Sequence, residues 1–311
     1  MARKSRQQEQ LKKLLPSPTD TVAEVSPTIY KTAIYARLSA NNFATTNVDV
    51  LGSQLNHLKE YVASHSDMQL VDTYTQRVLP AIINVHGGGL IMGNKEFNRF
   101  FCAHLCKLGF VVFSIEYQLV PDVKVFQQFA DVSAAMDYIG HSILIYGGDP
   151  NNVFMVGDSA GAYLITYTVA MQNSPVLASV ANVRPSFLNI KALGLISGMF
   201  YTNRFDEIGI FLPKTLYGKH YKKSAFSPFI NPEHPAITTH LPPCFLVTSH
   251  DDHLHQYTVD FTNALQSNGT ICELLDFPPD KRLTHAFSVF DPAMDKSQEV
   301  MQAMVRFFRQ Q

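Results

Sequence analysis

Charge is scarce in this 311-residue chain: Asp, Glu, Lys and Arg make up 16% of it, against about a quarter in an ordinary globular protein. That shortage excludes a largely disordered or coiled-coil chain. Neither sign dominates, with 25 Lys and Arg against 26 Asp and Glu, so a chain-wide basic footprint for nucleic acid is absent. No apolar run reaches the roughly 18 residues that a membrane-spanning helix needs. The basic, Gln-rich stretch 1–13 is followed by no apolar segment and does not read as a signal peptide. Cys102, Cys106, Cys244 and Cys272 include no C-x-x-C pair and are too few to frame a structural zinc site. They read as reduced, buried thiols of a cytoplasmic protein.

What is present is apolar. Hydrophobic residues are 46% of the chain, enough for a sizeable core, and the length suits one large or two ordinary domains. Residues 1–27 carry Arg3, Lys4, Arg6, Lys12 and Lys13, then Pro16, Pro18 and Pro27, and read as a mobile basic tail. Residues 28–76 read as strand, amphipathic helix, strand, over Tyr30–Leu38, Ser53–His65 and Leu70–Tyr74. From residue 77 the pattern becomes a repeated strand–helix alternation. Strands are expected at Ala81–His86, Phe110–Glu116, Val153–Gly157, Ala192–Ile196, Cys244–Ser249 and Cys272–Phe277. Each is short, apolar and rich in Val, Ile, Leu or Phe, as strands covered on both faces are. Helices are expected near Phe97–Lys107, Phe126–Ile139, Gly161–Met171, Tyr257–Gln266 and Gln298–Phe308. The alternation predicts an α/β fold with one open, mostly parallel sheet flanked by helices. Residues 198–241 break the rhythm with an aromatic-rich insertion, expected to cap a pocket.

Three motifs carry chemistry. Gly157-Asp158-Ser159-Ala160-Gly161 is G-x-S-x-G between an expected strand and an expected helix, the context in which a tight turn presents a serine hydroxyl. His86-Gly87-Gly88-Gly89 follows another strand, and its glycines let backbone N–H groups converge on one point, as an oxyanion requires. A serine nucleophile needs a base and an orienting carboxylate, here expected later in the chain at strand ends. The string His250-Asp251-Asp252-His253-Leu254-His255 and the histidine of Thr284-His285-Ala286 stand at those places. Three His and two Asp in six residues also have the look of metal donors. Their side chains are expected to diverge from an irregular loop, so the string is read as a polar loop carrying the acid, without metal.

In these motifs, together with Glu116–Pro121, Gly148-Asp149-Pro150 and Leu241-Pro242-Pro243, the chain from Leu79 onward resembles the hormone-sensitive-lipase-like branch of α/β-hydrolase esterases. The resemblance implies Ser159 as nucleophile, His285 as base and Asp252, in its D-x-L string, as the acid. It implies oxyanion donors at the N–H groups of Gly88, Gly89 and Ala160, with Gly87 shaping the turn. It implies a small-molecule ester substrate, a carboxylesterase reaction and no cofactor. Leu90 and Gln118 depart from the family pattern, and both are expected to change pocket and packing rather than the triad.

Residues 28–76 are similar to something else. Tyr30–Ser39 resembles the start of a serine recombinase (resolvase-like) catalytic domain, in which Ser39 would be the attacking serine and Arg37 its neighbour. Phosphoryl transfer needs clustered arginines, and the stretch supplies few. The segment is therefore read as an appended, truncated piece beside a more open pocket. It leaves a second expectation, a catalytically impaired fusion or ligand-binding relative, and a third, a DNA-acting fragment.

Overall fold

The computed structural model describes residues 30–36, 56–57, 59–64, 68–75 and 78–311. It divides into two compact units, at Gln76 and Arg77. In the first, β1 (Tyr30–Ala36) and β2 (Met68–Thr75) pair in parallel. Residues 59–63 between them are helical, with Val62 buried, as a crossover between parallel strands requires. The basic tail, Arg37 and Ser39 lie outside the described residues.

The second unit is a six-stranded sheet in the order β4-β3-β5-β6-β7-β8, parallel throughout. Its strands are β3 (Leu79–Val85), β4 (Val111–Ile115), β5 (Gly148–Asp158), β6 (Leu193–Ile196), β7 (Cys244–Ser249) and β8 (Cys272–Phe277). All six stand where the apolar runs place them. The helices are α1 (Arg99–Lys107), α2 (Val125–Ser142), α3 (Ala160–Asn173), α4 (Pro175–Ala181), α5 (Glu207–Phe211), α6 (Pro213–Tyr217), α7 (Pro235–Thr238), α8 (His255–Ser267), α9 (Phe287–Phe290) and α10 (Asp295–Phe308). Helix α4 was not expected from the sequence; Pro175 opens it, a position where the missing N–H costs nothing. No helix among the described residues is long and apolar enough to cross a membrane.

Alternation along the strands builds a core on each face of the sheet. Ile83, Val85, Met155, Leu195 and Leu246 point to the layer of α2, α3 and α8. Ile82, Phe154, Val156, Ile196 and Phe245 point to that of α1 and α10. Helix α3 is buried all round from Ala160 to Met171, so something must cover the side turned away from the sheet. The insertion does this. Leu216, Phe226, Phe229 and Ile230 belong to the same core, the Tyr163 and Tyr217 hydroxyls meet at 2.7 Å, and Tyr167 donates to the Phe229 carbonyl at 2.7 Å.

All four cysteines are free. Cys102 and Cys244 are buried, and burial pushes the Cys102 thiol up to about 12, which keeps it protonated and unreactive. Cys106 is exposed and Cys272 half-buried, against the expectation for both. The buried stripe of α1 is Phe101, Cys102 and Leu105, and Cys106 lies past its edge.

Phe308, in the last turn of α10, is 1% exposed and stacks on Phe154 of β5 at 4.5 Å between ring centroids. Phe308→Ala is expected to lower the unfolding free energy by about 3–5 kcal/mol, as other aromatic truncations in cores do; urea denaturation measures it.

Candidate active site

The site forms at the carboxyl ends of the strands, starting from the turn between β5 and α3. Ser159 sits at φ 51°, ψ −114°, a strained conformation for a residue with a Cβ. Neighbouring chain holds it there. Its N–H donates to the Ile196 carbonyl at 2.9 Å, and its carbonyl accepts from the Met199 N–H at 3.0 Å. The flanking glycines are a packing requirement. A Cβ on Gly161 would lie 2.0 Å from the Val85 carbonyl oxygen, and one on Gly157 would lie 2.5 Å from the Gly161 carbonyl carbon. Any larger residue would push α3 off β3.

The His86–Gly89 loop lies beside this turn. Gly88 has φ 112° and a Cβ there would meet the Met92 carbonyl oxygen at 2.1 Å; Gly89 has φ 61°. The loop closes with the Ile91 and Met92 N–H groups donating to the Gly88 carbonyl at 3.2 and 3.0 Å. Among the described residues, the N–H groups of Gly88, Gly89 and Ala160 donate in none of the turn and loop hydrogen bonds. Leu90 is fully buried, and its carbonyl accepts from the Val120 N–H and from Gln128 Nε2. Gln118 turns its side chain to Asp131. Neither lines the cavity described below, so the pocket changes expected from these two positions are corrected: one packs in the core and the other makes a surface contact.

Asp158, immediately before the serine, ties the two loops together. Its Oδ1 accepts from the Gly87 N–H at 3.1 Å and from Asn98 Nδ2 at 2.7 Å. A Cβ on Gly87 would lie 2.3 Å from Asp158 Oδ2, so no larger residue fits there beside that carboxylate. Burial raises the Asp158 carboxyl pKa, opposed by the Asn98 hydrogen bond, His86, His285 and the Gly87 N–H. His86 stacks on Tyr117 at 4.3 Å, and the Tyr117 hydroxyl donates to the His86 carbonyl at 2.9 Å.

Asp252 and His285 come from the loops after β7 and β8. Their Oδ1 and Nδ1 are 2.8 Å apart, and Asp252 also accepts from the Leu254 N–H at 2.8 Å. Burial pushes the Asp252 carboxyl up, but the hydrogen bond and charge of His285, with Ser197 and the Leu254 N–H, outweigh it and hold the carboxyl below its usual value. Asp251 turns away and pairs with Lys281 at 3.2 Å. Two serines that sequence reasoning missed position the histidine loop. Ser197, at φ 50°, accepts from the Ala286 N–H at 3.1 Å, and Ser249 Oγ donates to the Leu283 carbonyl. A serine at a strand end gives no signal that distinguishes it from a surface residue.

Ser159, His285, Gly88 and Gly89 share the wall of a cavity of about 370 Å³ with Ile91, Met92, Met199, Leu254 and Phe290. Ile208 and Leu212, from the insertion, and Asp158 also line it. One segment thus packs on α3 and also reaches the cavity wall. His253 also lines the cavity, with its ring 4.4 Å from that of His285. Burial and the neighbouring His285 lower its pKa.

A family model described as the alpha/beta hydrolase fold matches residues 82–288. The chain belongs to the α/β-hydrolase family. An isoprenylcysteine alpha-carbonyl methylesterase of Arabidopsis thaliana is 25% identical over 233 residues, which are 71% of this chain and 52% of that protein. A probable tuliposide A-converting enzyme of Tulipa gesneriana is 26% identical over 204 residues, 58% of this chain and 53% of that protein. The chain spans about half the length of the curated relatives it matches. Among solved structures, esterase B from Lactobacillus rhamnosis aligns with TM-score 0.70 and 23% identity over 76% of this chain and 77% of that one. A hyperthermophilic esterase from Pyrobaculum calidifontis aligns with TM-score 0.59 and 22% identity over 76% and 78%. These likenesses establish the fold. The family match lies wholly after residues 28–76, and nothing in these comparisons supports the recombinase-like reading of that segment.

Gly161→Ala is expected to lower the unfolding free energy by more than about 2 kcal/mol, because the obstructing atoms are backbone; thermal and urea unfolding report it. The stabilisation from the lowered Asp252 pKa is fully present above the ordinary carboxylate value of about 4 and is lost as pH falls through the folded value. Asp158, with a raised pKa, contributes with the opposite sign. The stability advantage of wild type over Asp252→Asn should therefore shrink as pH falls below about 4, measured by urea midpoints across that range.

Proposed function

We propose that the protein is a serine carboxylesterase acting on small to medium uncharged esters. The observation that carries this reading is the Asp252–His285 pair, at 2.8 Å, in the wall of an apolar cavity that also holds Ser159 and the glycine loop. Ser159 Oγ attacks the ester carbonyl carbon while His285 Nε2 takes its proton. Asp252 accepts the hydrogen bond from Nδ1–H, fixes the tautomer and stabilises the imidazolium. The N–H groups of Gly88, Gly89 and Ala160 receive the oxyanion, aided by the amino end of α3. Collapse of the tetrahedral intermediate breaks the bond to the alcohol oxygen, which leaves with the proton from His285. Water, deprotonated by the same histidine, then releases the acid and restores Ser159.

Lining by Ile91, Met92, Met199, Ile208, Leu212 and Phe290 favours an apolar acyl or alcohol group, since a charged one would lose its hydration without a partner. The Arabidopsis relative is named for a methyl ester of isoprenylcysteine, whose apolar chain is in keeping with such a lining.

Hydrolysis of p-nitrophenyl esters of increasing acyl length tests the proposal. Wild-type protein should turn over, with the optimum chain length reporting cavity depth. Ser159→Ala should lose activity by at least about 10⁴-fold, and Asp252→Asn by about 10³–10⁴-fold in kcat. An active Ser159→Ala protein, or no turnover of any ester by a cooperatively unfolding wild type, would overturn it.

A further inference from the structure

The loop after β7 carries more chemistry than the proposed reaction uses. Asp252 turns to His285, but His250 and His255, at the two ends of the same loop, turn to each other. The His250 N–H donates to the Phe277 carbonyl at 3.0 Å and the His255 N–H to the Asp252 carbonyl at 2.9 Å. The turn so formed brings the two imidazole centroids to 4.5 Å. This corrects the expectation that the histidines diverge. Asp276, near the end of β8, completes the group, with its Oδ2 3.0 Å and its Oδ1 3.1 Å from His255 Nε2. One donor atom from each of the three residues lies within 4.8 Å of the other two. His250 and Asp276 are exposed and His255 is half-buried, so an ion can reach them from solvent.

We propose that His250, His255 and Asp276 bind a zinc-like divalent cation. Two imidazoles and one carboxylate suit zinc and its neighbours; calcium and magnesium require more oxygen ligands. Metal–ligand bonds of about 2.0–2.2 Å in a tetrahedral array put the donor atoms about 3.3–3.6 Å apart. The His255–Asp276 pair, at 3.0–3.1 Å, needs to widen by a few tenths of an ångström, and the donor atom of the exposed His250, within 4.8 Å of both, needs to approach. The cation takes the place of the hydrogen between His255 Nε2 and Asp276, which is released to solvent as a proton, and water fills the fourth position. Bound there, it ties both ends of the loop carrying Asp252 to the edge strand β8, so it stabilises the fold by mass action.

The experiment is calorimetric titration of the EDTA-dialysed full chain with ZnCl₂, with thermal unfolding in parallel. One equivalent should bind and raise Tm, and CaCl₂ should do neither. His250→Gln and Asp276→Asn should each weaken binding at least tenfold. Asp252, His253 and His285 also bring three donor atoms within 4.8 Å, and His253→Gln separates the two groups. Under the proposal it leaves zinc affinity unchanged. No binding at millimolar zinc, or binding lost in His253→Gln and kept in His250→Gln, overturns the proposal. Should Asp276→Asn fail to fold, the exposed His250→Gln decides.

Discussion

The contact between the first turn of α3 and the end of β3 is the constraint on which the site depends. Gly161 lies so close to the Val85 and His86 carbonyls that no Cβ fits. That approach forces the reversal at Ser159, and the reversal aims the amino end of α3 into the cavity wall. Asp158 makes the arrangement rigid: through Gly87 it fastens the glycine loop to the serine turn, and through Asn98 it fastens both to the region before α1. A buried carboxylate costs free energy unless hydrogen-bonded, and these contacts are the compensation.

The insertion between β6 and β7 solves two problems at once. Helix α3 is apolar on every side, so a sheet alone would leave half of it in water. Residues of the insertion cover that side with aromatic rings and two buried tyrosine hydroxyl contacts. The same segment then reaches over to present Ile208 and Leu212 to the cavity. Changes in this segment therefore act on stability and on the apolar lining together.

The loops after β7 and β8 show how one stretch of chain divides its work. Asp251 pairs with Lys281, Asp252 with His285, and His255 with Asp276. Successive residues leave the loop in different directions, and each finds a partner from another element. Ser197 and Ser249, at the ends of two neighbouring strands, hold the histidine loop against them. The cavity wall thus rests on hydrogen bonds from β6 and β7 as much as on the residues that face it.

Much of this was legible in the chain. Apolar runs marked the strands of the sheet, continuous in the central ones because a strand buried on both faces has no polar side to show, and broken by Glu273 and Asp276 in the edge strand β8. Ser159 and the glycines around it were legible because a strained turn and a close backbone approach demand particular residues locally. Asp252 and His285 could be placed at strand ends, but their hydrogen bond depends on the parallel order of β7 and β8, which packing decides. The roles of Ser197 and Ser249 were hidden for the same reason. The pairing of His250 with His255 and Asp276 was misread, since the direction of a side chain in an irregular loop is set by the elements around it. What the sequence determined by itself was the six strands, the long helices between them and the serine turn, through periodicity and backbone sterics. What only the tertiary structure decided was which side chains meet, because those contacts join residues far apart in the chain through the register of the sheet.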